Sequence, residues 1–284
     1  MRTNKPAVLV ISSHVVRGTV GNRAAAFALE VLGFSVWCLP TVILPWHPGH
    51  GPSTRSTPSQ EDFAAIADDI CEAKWLPEVG AVLTGYLGAE EQVAEVAKIV
   101  RAVKAANPAA QYTLDPVMGD GDALYIGEGQ AHAIREVLLP LADMVTPNCF
   151  ELGWLAQDTT PVNQTEVAQL AQGLGVSKVL ATSTPALMAG SIGNLLLDGK
   201  SAMVAEHRAM AGPPNGLGDL TAALITAHML DGLSSSDALL KTTSSVFEVM
   251  MASAQSGADE LVMERSVDSL LNPRTGVSTR TLAL

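Results

Sequence analysis

The sequence has three cysteines, Cys38, Cys71 and Cys149, with no paired spacing among them. An odd, scattered set excludes a disulfide framework or a cysteine-based zinc site and leaves the expectation of reduced, mostly buried thiols. Positive charge is scarce as well: 17 Lys and Arg against 29 Asp and Glu give a net charge of −12. Such a chain has no electrostatic footprint for nucleic acid or an anionic membrane, so a polyanionic ligand needs a local positive device. Long hydrophobic runs are missing too. The run within "AVLVIS" at 7–12 is about five residues long, too short for a signal h-region or a membrane span of about 20. The expectation is a cytoplasmic protein with no membrane partner. No internal repeat or low-complexity tract is visible.

What is there is a chain of 284 residues, 48% of them hydrophobic, enough for one large α/β domain or two small ones. Short β-rich runs at 7–12, 35–39, 81–85, 112–117, 143–148 and 178–183 alternate with helical patterns at 22–33, 59–76 and 89–108. That alternation is the signature of a mostly parallel sheet covered by helices. Gly33 closes the first helix as a C′ residue, Ser59 stands three residues before Asp62 as a near capping box, and Pro108 stops the third helix. Residues 191–199 and 201–207 read as an antiparallel hairpin turning at Asp198 and Gly199, and everything from Leu217 onward reads as helical. The stretch 40–58, "PTVILPWHPGHGPSTRSTP", is a long Pro/Gly-rich loop after a strand, where α/β proteins place ligand contacts.

Chemistry concentrates in three places. "GLGD" at 216–219 opens an apolar helix; a glycine-bracketed turn at a helix N-terminus leaves backbone N–H groups free to hold an anion. An aspartate in that turn is repelled by the anion, which makes sense if it takes a proton from a hydroxyl attacking phosphorus. The competing reading is that Asp219 merely favours the helix dipole. "TLDPVMGDGD" ends a strand with Asp115, followed by Asp120 and Asp122, and "DMVTPNCFEL" supplies Asn148 and Glu151 at another strand end. Carboxylates so placed can hold Mg²⁺, directly or through water, against phosphates, whereas Asp120 and Asp122 read as solvated loop charges.

Taken together, "SSHVVRGTVGNRAAAFALEVLGFSVWCLPTV", "VLTGYLGAEEQVAEVAKIVRAVKAANPAAQYTLDPVMGD", "ADMVTPNCFEL" and "GLGDLTAAL" resemble, in order and through essentially the whole chain, the pyridoxal kinases of the ribokinase-like superfamily, above all the bacterial type. The resemblance implies a single α/β domain over 1–284, with a central, mostly parallel sheet flanked by helices and an antiparallel edge hairpin. It implies ATP-dependent phosphorylation of the 5′-hydroxymethyl group of pyridoxal by a homodimer. Asp219 would be the base, and Gly216, Leu217 and Gly218 the anion hole. Ser13, His47, Tyr86 and Asp219 would meet the B6 substrate, and Trp46, which is this chain's own departure from the family, is a further candidate because its flat face can stack on a pyridine ring. Asp115, Asn148, Glu151 and Thr182 would serve the nucleotide, Asp115 and Glu151 also Mg²⁺, and the resemblance admits a monovalent cation such as K⁺.

This chain departs from the family's pattern in two ways. Leu217 stands where the family usually has Thr or Val, a mild change because only the amide is asked to act. In the loop at 41–51, Pro48 replaces a substrate-binding Thr and offers neither hydroxyl nor N–H, His47 keeps its place, His50 stands where Tyr is usual, and Trp46 offers a flat face. The altered loop leaves two alternatives open: a kinase of a related heteroaromatic alcohol such as hydroxymethylpyrimidine, and a catalytically weak B6-binding relative.

Overall fold

The computed structural model describes residues 5–121, 123–274 and 277–282. Its strands are β1 (Ala7–Val15), β2 (Ser35–Leu44), β3 (Val79–Thr84), β4 (Gln111–Leu114), the two-residue ribbon β5 (Gly119–Asp120) and β6 (Ala123–Leu124), β7 (Met144–Val145), β8 (Lys178–Pro185), β9 (Ser191–Asp198), β10 (Ser201–Arg208) and β11 (Ser278–Leu282). Its helices are α1 (Asn22–Val31), α2 (Gln60–Cys71), α3 (Gln92–Ala106), α4 (Glu128–Ala133), α5 (Cys149–Leu155), α6 (Gln164–Gly173), α7 (Leu217–Leu230), α8 (Ser235–Gln255) and α9 (Val267–Leu271). Nine strands form one sheet in the order β11-β10-β9-β8-β7-β4-β3-β1-β2. Pairing is parallel from β2 to β8 and antiparallel from β8 through β9 and β10 to β11.

Strand β1 shows why its sequence is a continuous apolar run rather than an alternating one. Leu9 and Ile11 enter the core on the α2/α3/α6 face, and Val8 and Val10 the core on the α1/α7/α8 face, so both sides of the strand are buried. The result is a three-layer α/β/α arrangement. Helix α7 is apolar almost all round, with every residue from Leu220 to His228 buried, as a helix under a sheet and a second helix layer must be. No helix among the described residues is long and apolar enough to cross a membrane.

The cap at Gly33 forms as expected. Gly33 has φ 87°, its amide donates to Glu30 O at 2.9 Å, and the Phe34 amide donates to Leu29 O at 3.0 Å, the paired bonds of a Schellman ending. Several boundaries differ. The loop expected from residue 40 begins only after Leu44, because β2 is an edge strand and tolerates Pro40, which pairs opposite Ser12 beside a bulge. The strand expected over 112–117 ends at Leu114, since Pro116 and the positive φ of 40° at Val117 turn the chain away. Cys38 is exposed while Cys71 and Cys149 are partly buried, all three as free thiols; the outer position of β2 explains why burial fails at Cys38. Helix does not extend over the whole segment after Leu217: β11 pairs antiparallel with β10 from Ala202↔Leu282 to Glu206↔Ser278. "STRTL" carries one large apolar residue, so only its non-local partner reveals it as a strand.

Candidate active site

The parallel strands end on one side of the sheet, and the N-terminus of α7 points into that side. Its N-cap, Gly216, has φ 100° and ψ 1°, with no side-chain cap. A Cβ at Gly216 would also collide with the Thr19 carbonyl oxygen, so backbone conformation and close approach each require glycine. The first amides of the helix therefore lack intrahelical acceptors and face the strand ends.

Asp219 sits in that first turn, partly buried, its carboxylate accepting from the Gly21 amide and from its own. Burial raises its pKa from 3.8 to about 6, with those two amides opposing. Across a small cavity stands Asp115, 6% exposed. Its amide donates to Thr84 O at 2.9 Å and its Oδ1 accepts from Thr146 Oγ1 at 3.0 Å. Burial first, then the charges of Glu151 and Asp219, push its carboxyl well above the usual range. Ser12, Gly21, Thr84 and Gly85 complete the polar part of the cavity wall. Gly85 keeps it open: a Cβ there would stand 2.5 Å from Ser12 Oγ and 3.8 Å from Asp219 Oδ1. The Ser12 hydroxyl is buried and finds no hydrogen-bond partner among the described residues, so it is available to a ligand.

Of the two adjacent serines it is thus Ser12 that lines the cavity; Ser13, also buried, packs against Gly21. Glu151 is 3% exposed. Its Oε1 accepts from the amides of Met118 at 2.8 Å and Gly119 at 3.4 Å, and its Oε2 from Asn148 N at 2.9 Å. Burial lifts it to about 7 despite those bonds. Asn148 returns the favour as N-cap of α5, accepting from Glu151 N at 2.9 Å and donating through Nδ2 to Gly119 O at 2.8 Å. Thr182 pairs with Asn148 in a parallel bridge, its amide donating to Pro147 O at 2.8 Å. Asp120 is exposed, and Asp122 lies outside the described residues. Among the described residues no cluster of three His, Cys, Asp or Glu side chains is arranged to cage a metal. A pair of carboxylates with oxygen donors alone nevertheless suits Mg²⁺, which keeps waters and takes its remaining ligands from phosphates.

The loop after β2 closes over the same end. Pro48–His50 is a single 3₁₀ turn with His47 as N-cap, its Nδ1 accepting from Gly49 N at 3.1 Å. Burial lowers the pKa of His47. Pro48 occupies the first position of the turn, where no N–H is needed, which gives the departure a local reason. Trp46 is 36% exposed and donates through Nε1 to Gly51 O at 3.3 Å. The Tyr86 ring packs against Val15, Val20, Val42 and Leu44. Its hydroxyl accepts from Arg55 Nη1 at 2.8 Å, and Arg55 Nη2 donates to Gly88 O at 2.6 Å. Ser12, Gly21, Thr84, Gly85, Thr146 and Arg55 are absent from the sequence expectations. Only Gly85, inside "TGYLG", and Arg55, the sole cation in its loop, left a local signal.

Residues 60–263 match the phosphomethylpyrimidine kinase family. The pyridoxal kinase of Leifsonia xyli is 35% identical over 94% of this chain and 96% of its own, and that of Rubrobacter xylanophilus is 36% identical over 97% of each. Among solved structures, pyridoxal kinase from Leishmania donovani in complex with ADP and pyridoxamine superposes with a TM-score of 0.91 at 28% identity, covering 98% of this chain and 100% of that one. Motif order, site and fold agree with these matches: the chain belongs to the phosphomethylpyrimidine kinase family and, within it, to the pyridoxal kinases of ribokinase-like fold.

Proposed function

We propose that the protein is an ATP-dependent pyridoxal kinase in which Asp219 takes the proton of the 5′-hydroxymethyl group. The observation that carries this reading is a raised carboxylate in the first turn of α7, beside uncapped amides and a cavity shared with Asp115 and Ser12. A base with pKa about 6 remains mostly ionised at pH 7 yet binds a proton more readily than an exposed aspartate. The alcohol oxygen forms a bond to the γ-phosphorus, the bond from that phosphorus to the bridging oxygen breaks, and ADP leaves with that electron pair. The amides of Gly216, Leu217 and Gly218 stabilise charge on the transferring group, and loss of one such donor typically costs 10²–10³-fold.

Ser12 and the 46–50 loop orient the pyridine ring, and His47, Trp46, Ser13 and Tyr86 belong to that pocket. Asn148 and Thr182 border the nucleotide. Asp115, and through water Glu151, whose oxygens are engaged by amides, would hold the Mg²⁺ that accompanies ATP, and that ion would supply charge neutralisation at the phosphates. A cytoplasmic homodimer completes the reading.

The test is formation of pyridoxal 5′-phosphate, followed at its own absorbance, with Mg·ATP and with hydroxymethylpyrimidine as competing alcohol. Wild type is expected to turn over pyridoxal, and Asp219→Asn to lose about 10³-fold in kcat. Turnover of the pyrimidine alone would move the assignment to that alcohol. Pyridoxal binding without turnover would make the protein a B6 carrier.

A further inference from the structure

Three segments distant in sequence meet on one carboxylate outside the reacting centre. Glu260, 5% exposed, accepts through Oε2 from the Thr19 amide at 2.6 Å and through Oε1 from His50 Nε2 at 2.7 Å. The Arg17 guanidinium stands 3.9 Å from Oε1. His50 Nδ1 lies 3.3 Å from Asp259 Oδ2. Gly18 makes room for this carboxylate, since a Cβ there would overlap it. The backbone at Glu260 pairs with Asn215 in a parallel bridge, and the Asn215 amide donates to Asp259 O at 3.1 Å. Asn215 directly precedes Gly216. Thr19, whose Oγ1 donates to Leu261 O at 2.5 Å, presents the carbonyl that presses on Gly216.

The turn Pro48–His50 buries none of its residues, so no apolar core holds it in place. A hydrogen bond to a buried carboxylate is the stronger kind, and here one carboxylate serves the substrate loop through His50 and the wall of the anion hole through Thr19, while the backbone of the same residue is paired with Asn215. We propose that Glu260 and His50 form a clasp coupling the position of the substrate loop to the geometry of the phosphoryl-binding turn. Both are positioning residues. The proposal rests on the kinase reading for the meaning of the two sites, but the clasp itself is a statement about structure.

The test is a double-mutant cycle with wild type, His50→Ala, Glu260→Gln and the double variant, each first shown to melt cooperatively. Each single variant is expected to lose about tenfold in kcat/KM for pyridoxal, with KM for ATP within about twofold, and the double variant to lose no more than the worse single. Losses that multiply, or KM for pyridoxal unchanged in both singles, would overturn the coupling; a merely structural role would change ATP and pyridoxal parameters alike. Backbone hydrogen exchange gives a readout independent of turnover. In Glu260→Gln the amides of His50 and Gly51 and those around Asn215 and Gly216 are expected to exchange faster together, and unchanged exchange at either place refutes the clasp. If wild type forms no pyridoxal 5′-phosphate, the kinase reading fails while the exchange result still decides the clasp.

Discussion

Burial at Asp219 has two consequences that pull against each other. It raises the basicity of the carboxylate, and it makes the charged native state less favourable than the charged unfolded chain. In activity, kcat/KM is expected to show an acid limb near pH 6, falling about tenfold per unit below it, because the protonated carboxyl accepts nothing from the alcohol; a flat profile to pH 5 would remove Asp219 from the role. In stability the sign is reversed. The native pKa, about 6, lies above the ordinary 3.8, so the native state binds more protons between those values and the cost is fully present above pH 6. Asp219→Asn is therefore expected to be more stable than wild type at pH 8 by about 1–3 kcal/mol, the two converging near pH 4 in urea melts. Gly216 makes the complementary case: Gly216→Ala meets both φ 100° and the Thr19 carbonyl, and is expected to lose about 1–3 kcal/mol of stability and more than tenfold in kcat with KM for pyridoxal little changed. Asp219, Asp115 and Gly216 were legible in the sequence because each lies in a contiguous motif with its own chemistry. Ser12, Gly21 and Glu260 were not, since their meaning depends on partners as far as 241 residues away, as in the Thr19–Glu260 bond.

Among the elements, the strands of the parallel region and the hairpin β9–β10 were legible because burial on both faces, or a Gly-containing turn, leaves a local trace. The C-terminal strand left none. β11 is held by its ladder with β10 and by Arg280, whose Nη2 donates to Glu206 Oε1 at 3.1 Å and also reaches Gln164 Oε1. Glu206, 5% exposed, further accepts from Gln164 Nε2 at 2.8 Å and from Leu187 N at 3.2 Å, so it ties the β8–β9 loop to α6 rather than standing as a solvated hairpin charge. Arg280→Ala is expected to cost about 1–2 kcal/mol, less than a fully buried pair because the arginine is itself half-buried, with kcat unchanged. Removing 277–282 altogether uncovers β10 as a long edge and is expected to produce concentration-dependent aggregation, read by light scattering. A truncated chain as soluble and as stable as the full one would show that β11 does not protect the sheet.

At the scale of the whole molecule the titrating groups oppose one another. Glu151 at about 7 and Asp219 at about 6 take up protons in the native state before the unfolded chain does, so acidification from pH 7 toward 4 favours the native state through them. His228 works the other way. It lies in the last turn of α7, 1% exposed, with Nε2 lacking a partner among the described residues. Burial first, and the charges of Lys241 and Lys5 against that of Asp231, lower it from 6.5 to about 4. Its contribution is intact above pH 6.5 and is lost as pH falls toward 4, because only the unfolded chain is protonated in that window. His228→Leu removes this term and leaves the carboxylates unopposed. The stability difference between variant and wild type is expected to widen on acidification, by up to about 3 kcal/mol between pH 7.5 and pH 4, whatever constant offset the exchanged side chain introduces through packing. Urea midpoints at pH 7.5, 6, 5 and 4 measure it; a difference that stays constant across the series would place the acid sensitivity of the fold elsewhere than in the one buried histidine of its central helix.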